Sequence, residues 1–268
     1  MEYVTGRAEV KDGGMDYLRF GKAGAQPVVI IPGLSLGSVM PLAAAVAEAY
    51  APLGEVFDVY LFDRKDPVRE GYDIASMAAD TMEAVRVCGI RKAVLIGVSQ
   101  GGMIAQMMAA EYPEEISAML LVSTALRISP DARGVLSGWT DLARRRDPEG
   151  LVMAFGEAVY TQAVFEGSRE ILRQAAAAAT EEDLARFLIF SEAAADFDMS
   201  RESGKVTCPV RVIAGTDDRI FGRADQKELA DAYGADVIWF DGFGHALYDE
   251  APDYKERARD EIKRILIQ

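Results

Sequence analysis

The sequence predicts a three-layer α/β fold, a mostly parallel sheet of about eight strands flanked by helices and interrupted by a helical insertion. Three observations carry this prediction. Short apolar, β-branched runs alternate with alanine-rich or amphipathic segments through residues 27–122, the pattern of βαβ units. The runs themselves, such as Pro27-Val-Val-Ile-Ile31, are continuously apolar, as strands covered on both faces require. The alternation stops from about residue 126 to 205, where no strand signal occurs, and then resumes.

Taken in chain order, Asp12-Gly13-Gly14 is a turn signal between extended runs at 4–11 and 15–20, so the chain opens with a hairpin. A loop at 21–26 leads into the strand 27–31, which ends at Pro32-Gly33. Residues 39–50 are alanine-rich and predict a helix, 56–62 a strand, 74–88 a helix and 93–98 another apolar strand. A helix follows over 100–111 and is ended by Tyr112-Pro113; residues 116–122 make the next strand. In the segment 126–205, apolar residues such as Leu184, Phe187 and Leu188 recur at helical spacing. Strands return at 210–214 and 237–240, with helices at 224–233 and 254–267. The predicted domains are therefore a core formed by residues 1–125 and 206–268 and an all-helical insertion over 126–205. Insertions at the C-terminal ends of parallel strands usually cover a ligand site.

Composition narrows the function. The 268 residues include 43 acidic and 29 basic side chains, a net charge of −14, and half the chain is hydrophobic. That is globular composition with ample material for a core. The acidic balance argues against nucleic acid and anionic membrane surfaces as partners, since both need a basic footprint. A single histidine excludes every multi-histidine metal site. Cys88 and Cys208 are far apart and form no C-x-x-C pair, so neither a disulfide framework nor a thiolate zinc site is signalled. With no basic N-terminal region followed by an apolar stretch, and no run of 18 uncharged apolar residues, the expected location is the cytoplasm.

The sharpest motif is Gly97-Val98-Ser99-Gln100-Gly101, a match to G-x-S-x-G placed where an apolar strand gives way to a helix. A nucleophile elbow needs that context, because flanking glycines permit the tight turn that lifts a serine Oγ beside a helix N-terminus. A serine hydroxyl needs an adjacent base and an orienting acid to attack. The one histidine, His245, lies in Gly242-Phe-Gly-His245, in a loop just past the last strand. The acid lies in Gly215-Thr-Asp217-Asp218, also just past a strand; the turn favours Asp218 and keeps Asp217 in reserve, against the alternative that both cap the next helix. The order Ser99, Asp218, His245 differs from the orders of the chymotrypsin and subtilisin types.

On these residues, and on Ile30-Ile-Pro-Gly33, Ala93-Val-Leu-Ile-Gly-Val-Ser99 and Glu111-Tyr-Pro-Glu114, the chain resembles the α/β-hydrolase superfamily along nearly its whole length. The resemblance implies Ser99 as nucleophile, His245 as general base and then acid, and Asp218 as the residue that fixes the imidazole tautomer. It also implies an oxyanion hole from the backbone N–H groups of Leu34 and Gln100, no cofactor or metal, and a variable cap in place of the helical insertion. Two departures from the family pattern stand out. Pro32-Gly33 replaces His-Gly, which leaves a backbone donor intact, and Asp63-Arg-Lys-Asp-Pro-Val-Arg-Glu-Gly71 replaces Asp-x-Arg-Gly-x-Gly-x-Ser.

The expected activity is a serine hydrolase of a small, largely uncharged ester or related acyl compound, working through an acyl-enzyme. Dehalogenase and epoxide hydrolase relatives need an aspartate at the elbow and are disfavoured. C–C hydrolases usually carry tryptophan after the histidine, where this chain has Ala246-Leu-Tyr248. C–C bond hydrolase, lactonase, thioesterase and acyltransferase activities share the triad and stay open, as does a ligand-binding member without turnover. The expected partner is a small-molecule substrate, with a homodimer through the cap or an edge strand compatible with the pattern. Arg144-Arg-Arg146 is read as a solvated helix face and Met103, Met107 and Met108 as core. Trp139, Phe155, Tyr160, Phe165, Phe187, Phe190 and Phe197 are expected to divide between packing the insertion and lining a pocket.

Overall fold

A computed structural model describes residues 1–267. Its single sheet has eight strands: β1 (Tyr3–Val10), β2 (Gly13–Gly21), β3 (Pro27–Ile31), β4 (Asp58–Phe62), β5 (Ala93–Val98), β6 (Ile116–Val122), β7 (Val210–Gly215) and β8 (Val237–Phe240), in the order β1-β2-β4-β3-β5-β6-β7-β8. β2 is antiparallel to both β1 and β4, whereas every pairing from β4 through β8 is parallel. All the parallel strands therefore deliver their C-terminal ends to one edge, and the loops that follow them meet there.

Strand residues alternate between two apolar layers, as the two-residue period of a strand dictates. Val29, Leu95, Met119, Leu121 and Val212 face one core cluster, whereas Val28, Ile96, Leu120 and Ile213 face the other. The first cluster is covered by α3 (Ile74–Val87), α4 (Gln100–Glu111) and α9 (Arg223–Ala232), the second by α1 (Ala43–Ala49), α2 (Ala51–Gly54) and α11 (Tyr254–Ile265). Each fully buried Val, Leu or Ile contributes about 1.5–3 kcal/mol through removal from water. β5 is buried at all six positions, which makes it the anchor of the sheet.

Between β6 and β7 the chain forms four helices, α5 (Pro130–Arg144), α6 (Pro148–Val159), α7 (Gln162–Ala178) and α8 (Glu181–Ala195). Ser129, Asp147 and Thr180 cap three of them, each side chain accepting a hydrogen bond from a first-turn N–H. The structure divides the predicted helix over 39–50 into a 3-10 turn at Met40–Leu42 and α1, and adds α2, which Pro52 opens. It also adds a single turn, α10 (Leu247–Glu250), directly after His245. Among the described residues, no helix is long and apolar enough to cross a membrane.

Candidate active site

Ser99 ends β5 and precedes α4 with φ +51°, a left-handed conformation that a non-glycine residue adopts only when its surroundings hold it. Three hydrogen bonds do so. The Ser99 N–H donates to the Val122 carbonyl (2.9 Å), and the Ser99 carbonyl accepts from the Gly102 N–H and the Thr124 hydroxyl, each at 2.8 Å. The helix can begin this close to the sheet only because residue 101 is glycine; a Cβ there would overlap the Ile31 carbonyl oxygen.

His245 reaches Ser99 from the loop after β8. Its Nε2 stands 2.9 Å from Ser99 Oγ and its Nδ1 2.9 Å from Asp218 Oδ2. The imidazole is only 2% exposed, with the Phe221 ring 5.6 Å away. Asp218 follows β7, and its second oxygen, Oδ1, accepts the N–H groups of Ile220 (2.8 Å) and Phe221 (3.0 Å). One carboxylate oxygen thus serves the turn and the other serves the imidazole. Asp217 points elsewhere and accepts from the Thr216 hydroxyl. The two loops are tied together by the Asp217 N–H donating to the Phe243 carbonyl and the Gly242 N–H donating to Thr216 Oγ1, each at 2.9 Å.

The loop after β3 closes the other side. Gly33 lies so near the serine that a Cβ on it would stand 3.2 Å from the Ser99 Cβ. Leu34 and Gln100 both line the cavity at Ser99. Gln100 is the first residue of α4, where a backbone N–H has no partner inside the helix, and the Leu34 N–H carries no protein acceptor among the described residues. The Gln100 N–H stands at the positive end of α4.

A buried arginine that sequence reasoning missed supports this arrangement. Arg64 Nη2 donates to the Pro32 carbonyl (2.6 Å) and to Gln100 Oε1 (3.3 Å), and Gln100 Nε2 donates to the Phe190 carbonyl of α8 (2.6 Å). Burial pushes the guanidinium down to about 10, against the opposing pull of the neighbouring Asp63 carboxylate. Its Nε and Nη1 are buried without a partner. Asp63 itself accepts from Ser38 Oγ and the Val39 N–H, so Arg64 and Asp63 between them fasten both ends of the loop carrying Leu34. Local pattern gave no sign of this, because residues 63–71 depart from the family segment and carry no pattern from which their packing could be read.

The insertion supplies the opposite wall. Leu136 and Trp139 of α5, Phe155 and Val159 of α6 and Ala194 of α8 line the cavity, with the Trp139 and Phe155 rings 4.7 Å apart. Phe187 and Phe190 pack behind, against Phe155 and Tyr72, while Tyr160, Phe165 and Phe197 are outside the lining. Met103 is buried in the core, as expected, and also borders the cavity, as does Tyr248. Apart from His245, the lining side chains are of types that carry no charge at neutral pH. Arg144 and Arg146 pair with Asp141, Glu192 and Glu181 on the surface. Among the described residues, no group of three or more His, Cys, Asp or Glu side chains is disposed to hold a metal ion.

Comparison with known proteins agrees with the architecture. Residues 28–254 match the model of a family described as "Alpha/beta hydrolase family". A protein of Klebsiella pneumoniae subsp. pneumoniae named "Putative carbamate hydrolase RutD" is 26% identical over 256 residues, covering 91% of this chain and 93% of the relative. Among solved structures, an alpha/beta hydrolase enzyme from a Medee basin deep-sea metagenome library superposes with a TM-score of 0.85 at 19% identity, covering 98% of each chain. The enol-lactonase of Burkholderia xenovorans superposes with a TM-score of 0.80 at 22% identity, covering 98% of this chain and all of the other. At these identities the superpositions speak for the fold.

Proposed function

The chain belongs to the alpha/beta hydrolase family and is a hydrolase, and on that premise we propose that it cleaves a small, uncharged carboxylic ester or related acyl compound through a serine acyl-enzyme. The observation that carries the reading is the hydrogen-bonded line Ser99 Oγ, His245 Nε2, His245 Nδ1, Asp218 Oδ2, with 2.9 Å at each link. His245 takes the Oγ proton as Ser99 attacks the carbonyl carbon, and Asp218 keeps the Nδ1–H tautomer, so that Nε2 is the accepting nitrogen. The oxyanion that forms is met by the N–H groups of Leu34 and Gln100; losing one such preorganised donor costs about 3–4 kcal/mol of transition-state stabilisation. The imidazolium then protonates the leaving oxygen. A water deprotonated by the same Nε2 attacks the acyl-enzyme, and Ser99 recovers its proton as the acid departs.

A lining whose side chains, His245 apart, are of uncharged types favours an uncharged substrate. Residues 126–205 act as a cap over the core of 1–125 and 206–268, because three of the four inserted helices complete the cavity wall. Two relatives, a protein named putative carbamate hydrolase and an enol-lactonase, favour a second reading on the same residues: a carbamate or lactone carbonyl would be attacked in the same way. The test is covalent labelling of the purified protein with a fluorophosphonate probe, combined with peptide mapping. Labelling at Ser99 that Ser99→Ala abolishes is the expected result. A well-folded wild type that takes no label would overturn the reading.

A further inference from the structure

The space directly over Ser99 is too small for any ester. About 20 Å³ is open to the centre of a water molecule there, room for one water. A groove of about 390 Å³ adjoins it, and Gly33, Leu34 and Tyr248 line both spaces. Tyr248 packs against both halves of the core, which puts its ring at the seam between them. On the far side the groove is formed by Ile30, Leu61 and Val98 at the strand ends and by Leu42 and Val46 near α1. Ser35 and Ser38 from the loop after β3, Asp249 from α10 and the hydroxyl-bearing rings of Tyr50 and Tyr248 also line it.

We propose that this groove is a subsite for the unbranched acyl chain of the substrate, joined to Ser99 when the Tyr248 ring turns aside. The proposal rests on the serine-hydrolase reading above and names its substrate class, an ester of a medium-length aliphatic acid. The direction follows from the chemistry. The leaving-group oxygen must stay within reach of His245 Nε2, and His245 lines the small cavity but not the groove. The substituent that passes Leu34 into the groove is then the one that remains on Ser99 after the first step, the acyl chain. Each methylene withdrawn from water along the apolar walls favours binding about fourfold.

The test is the ratio of kcat/KM for p-nitrophenyl octanoate to that for p-nitrophenyl acetate. Val46→Trp and Leu42→Trp fill the groove, and Leu42 is 60% exposed, so its replacement does not strain the core. Both should lower the ratio by at least about tenfold, and Tyr248→Ala, which removes the ring, should raise it. A fall in the filled variants without a rise in Tyr248→Ala keeps the subsite and overturns the Tyr248 gate. Fluorophosphonate labelling of the same preparations separates the remaining outcomes. Labelled protein whose ratio stays within twofold in all three variants, or that hydrolyses no member of the ester series, overturns the subsite and leaves the serine hydrolase standing. A wild type that takes no label overturns the reading beneath it.

Discussion

Replacing Asp218 with asparagine tests the site with the least change in shape. The geometry fixes how the new amide would sit. Asp218 Oδ1 accepts two backbone N–H groups, from Ile220 and Phe221, so an amide nitrogen turned toward them would set donor against donor. The asparagine oxygen must keep that place, and its NH2 must then face His245 Nδ1, which is 2.9 Å from the present Oδ2. A donor opposite Nδ1 forces that nitrogen to accept and moves the ring proton to Nε2, where it faces Ser99 Oγ instead of receiving its proton. The turn retains its acceptor, so the stability loss should stay within about 1 kcal/mol. The base, however, is in the wrong tautomer, and kcat should fall about 10^4-fold, about 5.4 kcal/mol in the barrier. Steady-state hydrolysis of a p-nitrophenyl ester, with a thermal melt on the same sample, measures both. Activity of Asp218→Asn within tenfold of wild type would refute the tautomer argument, and so would an equal loss in Asp217→Asn, whose carboxylate points away from the imidazole.

Three more outcomes follow from the packing. Arg64→Met removes the bonds to Pro32 and Gln100 and leaves the buried Asp63 carboxylate without its neighbouring positive charge; we expect a melting temperature several degrees below wild type and a kcat about tenfold lower, about 1.4 kcal/mol, as the loop carrying Leu34 loses its brace. A melting temperature at or above wild type would show that the two unpartnered guanidinium nitrogens cost the fold more than these contacts contribute. Gly101→Ala drives a Cβ into the Ile31 carbonyl and should cost several kcal/mol, seen as insoluble expression or a collapsed denaturation midpoint. Burial pushes the Cys208 thiol up to about 11 from its ordinary 9. Alkylation at pH 8 should therefore be slow until the protein is unfolded, and this group's contribution should lower stability as pH rises from 9 to 11, where the unfolded thiol has lost its proton and the folded one has not. Iodoacetamide kinetics with and without denaturant would check it, equal rates being the contrary result.

Much of the sheet was legible because strands buried on both faces leave long apolar runs, uninterrupted in β3 and β5 and broken in β6 only by Ser117. The helix expected over 39–50 came out in pieces: Pro41 sits in a 3-10 turn before α1, and Pro52, with no N–H to donate, makes residues 51–54 a separate turn. α10 is a single turn, too short to leave a periodic signal. At the site, Ser99, Asp218 and His245 could be named because each follows directly on a strand, and a parallel sheet brings all such ends to one edge. Arg64, the Gln100 side chain and Tyr248 could not, since their surroundings are set by what lies across space from them: a carbonyl in the loop after β3, another in α8, and two adjoining cavities. Met103 lies in the core, as its place on the elbow helix suggests, and borders the cavity as well, which helical spacing does not reveal.

The chain's one imidazole stands between Ser99 and Asp218, and that turns it into a spectroscopic reporter. In a protein of 268 residues, a single histidine gives one pair of ring nitrogens to a ¹⁵N spectrum, with no assignment problem and no background. Selective ring labelling would show which nitrogen carries the proton at each pH, whether the Nδ1–H survives in the acyl-enzyme, and when a ligand displaces the serine from Nε2. The state of the proposed base could then be followed through turnover in the unmodified protein, an observation that a chain with several histidines permits only after most of them have been removed.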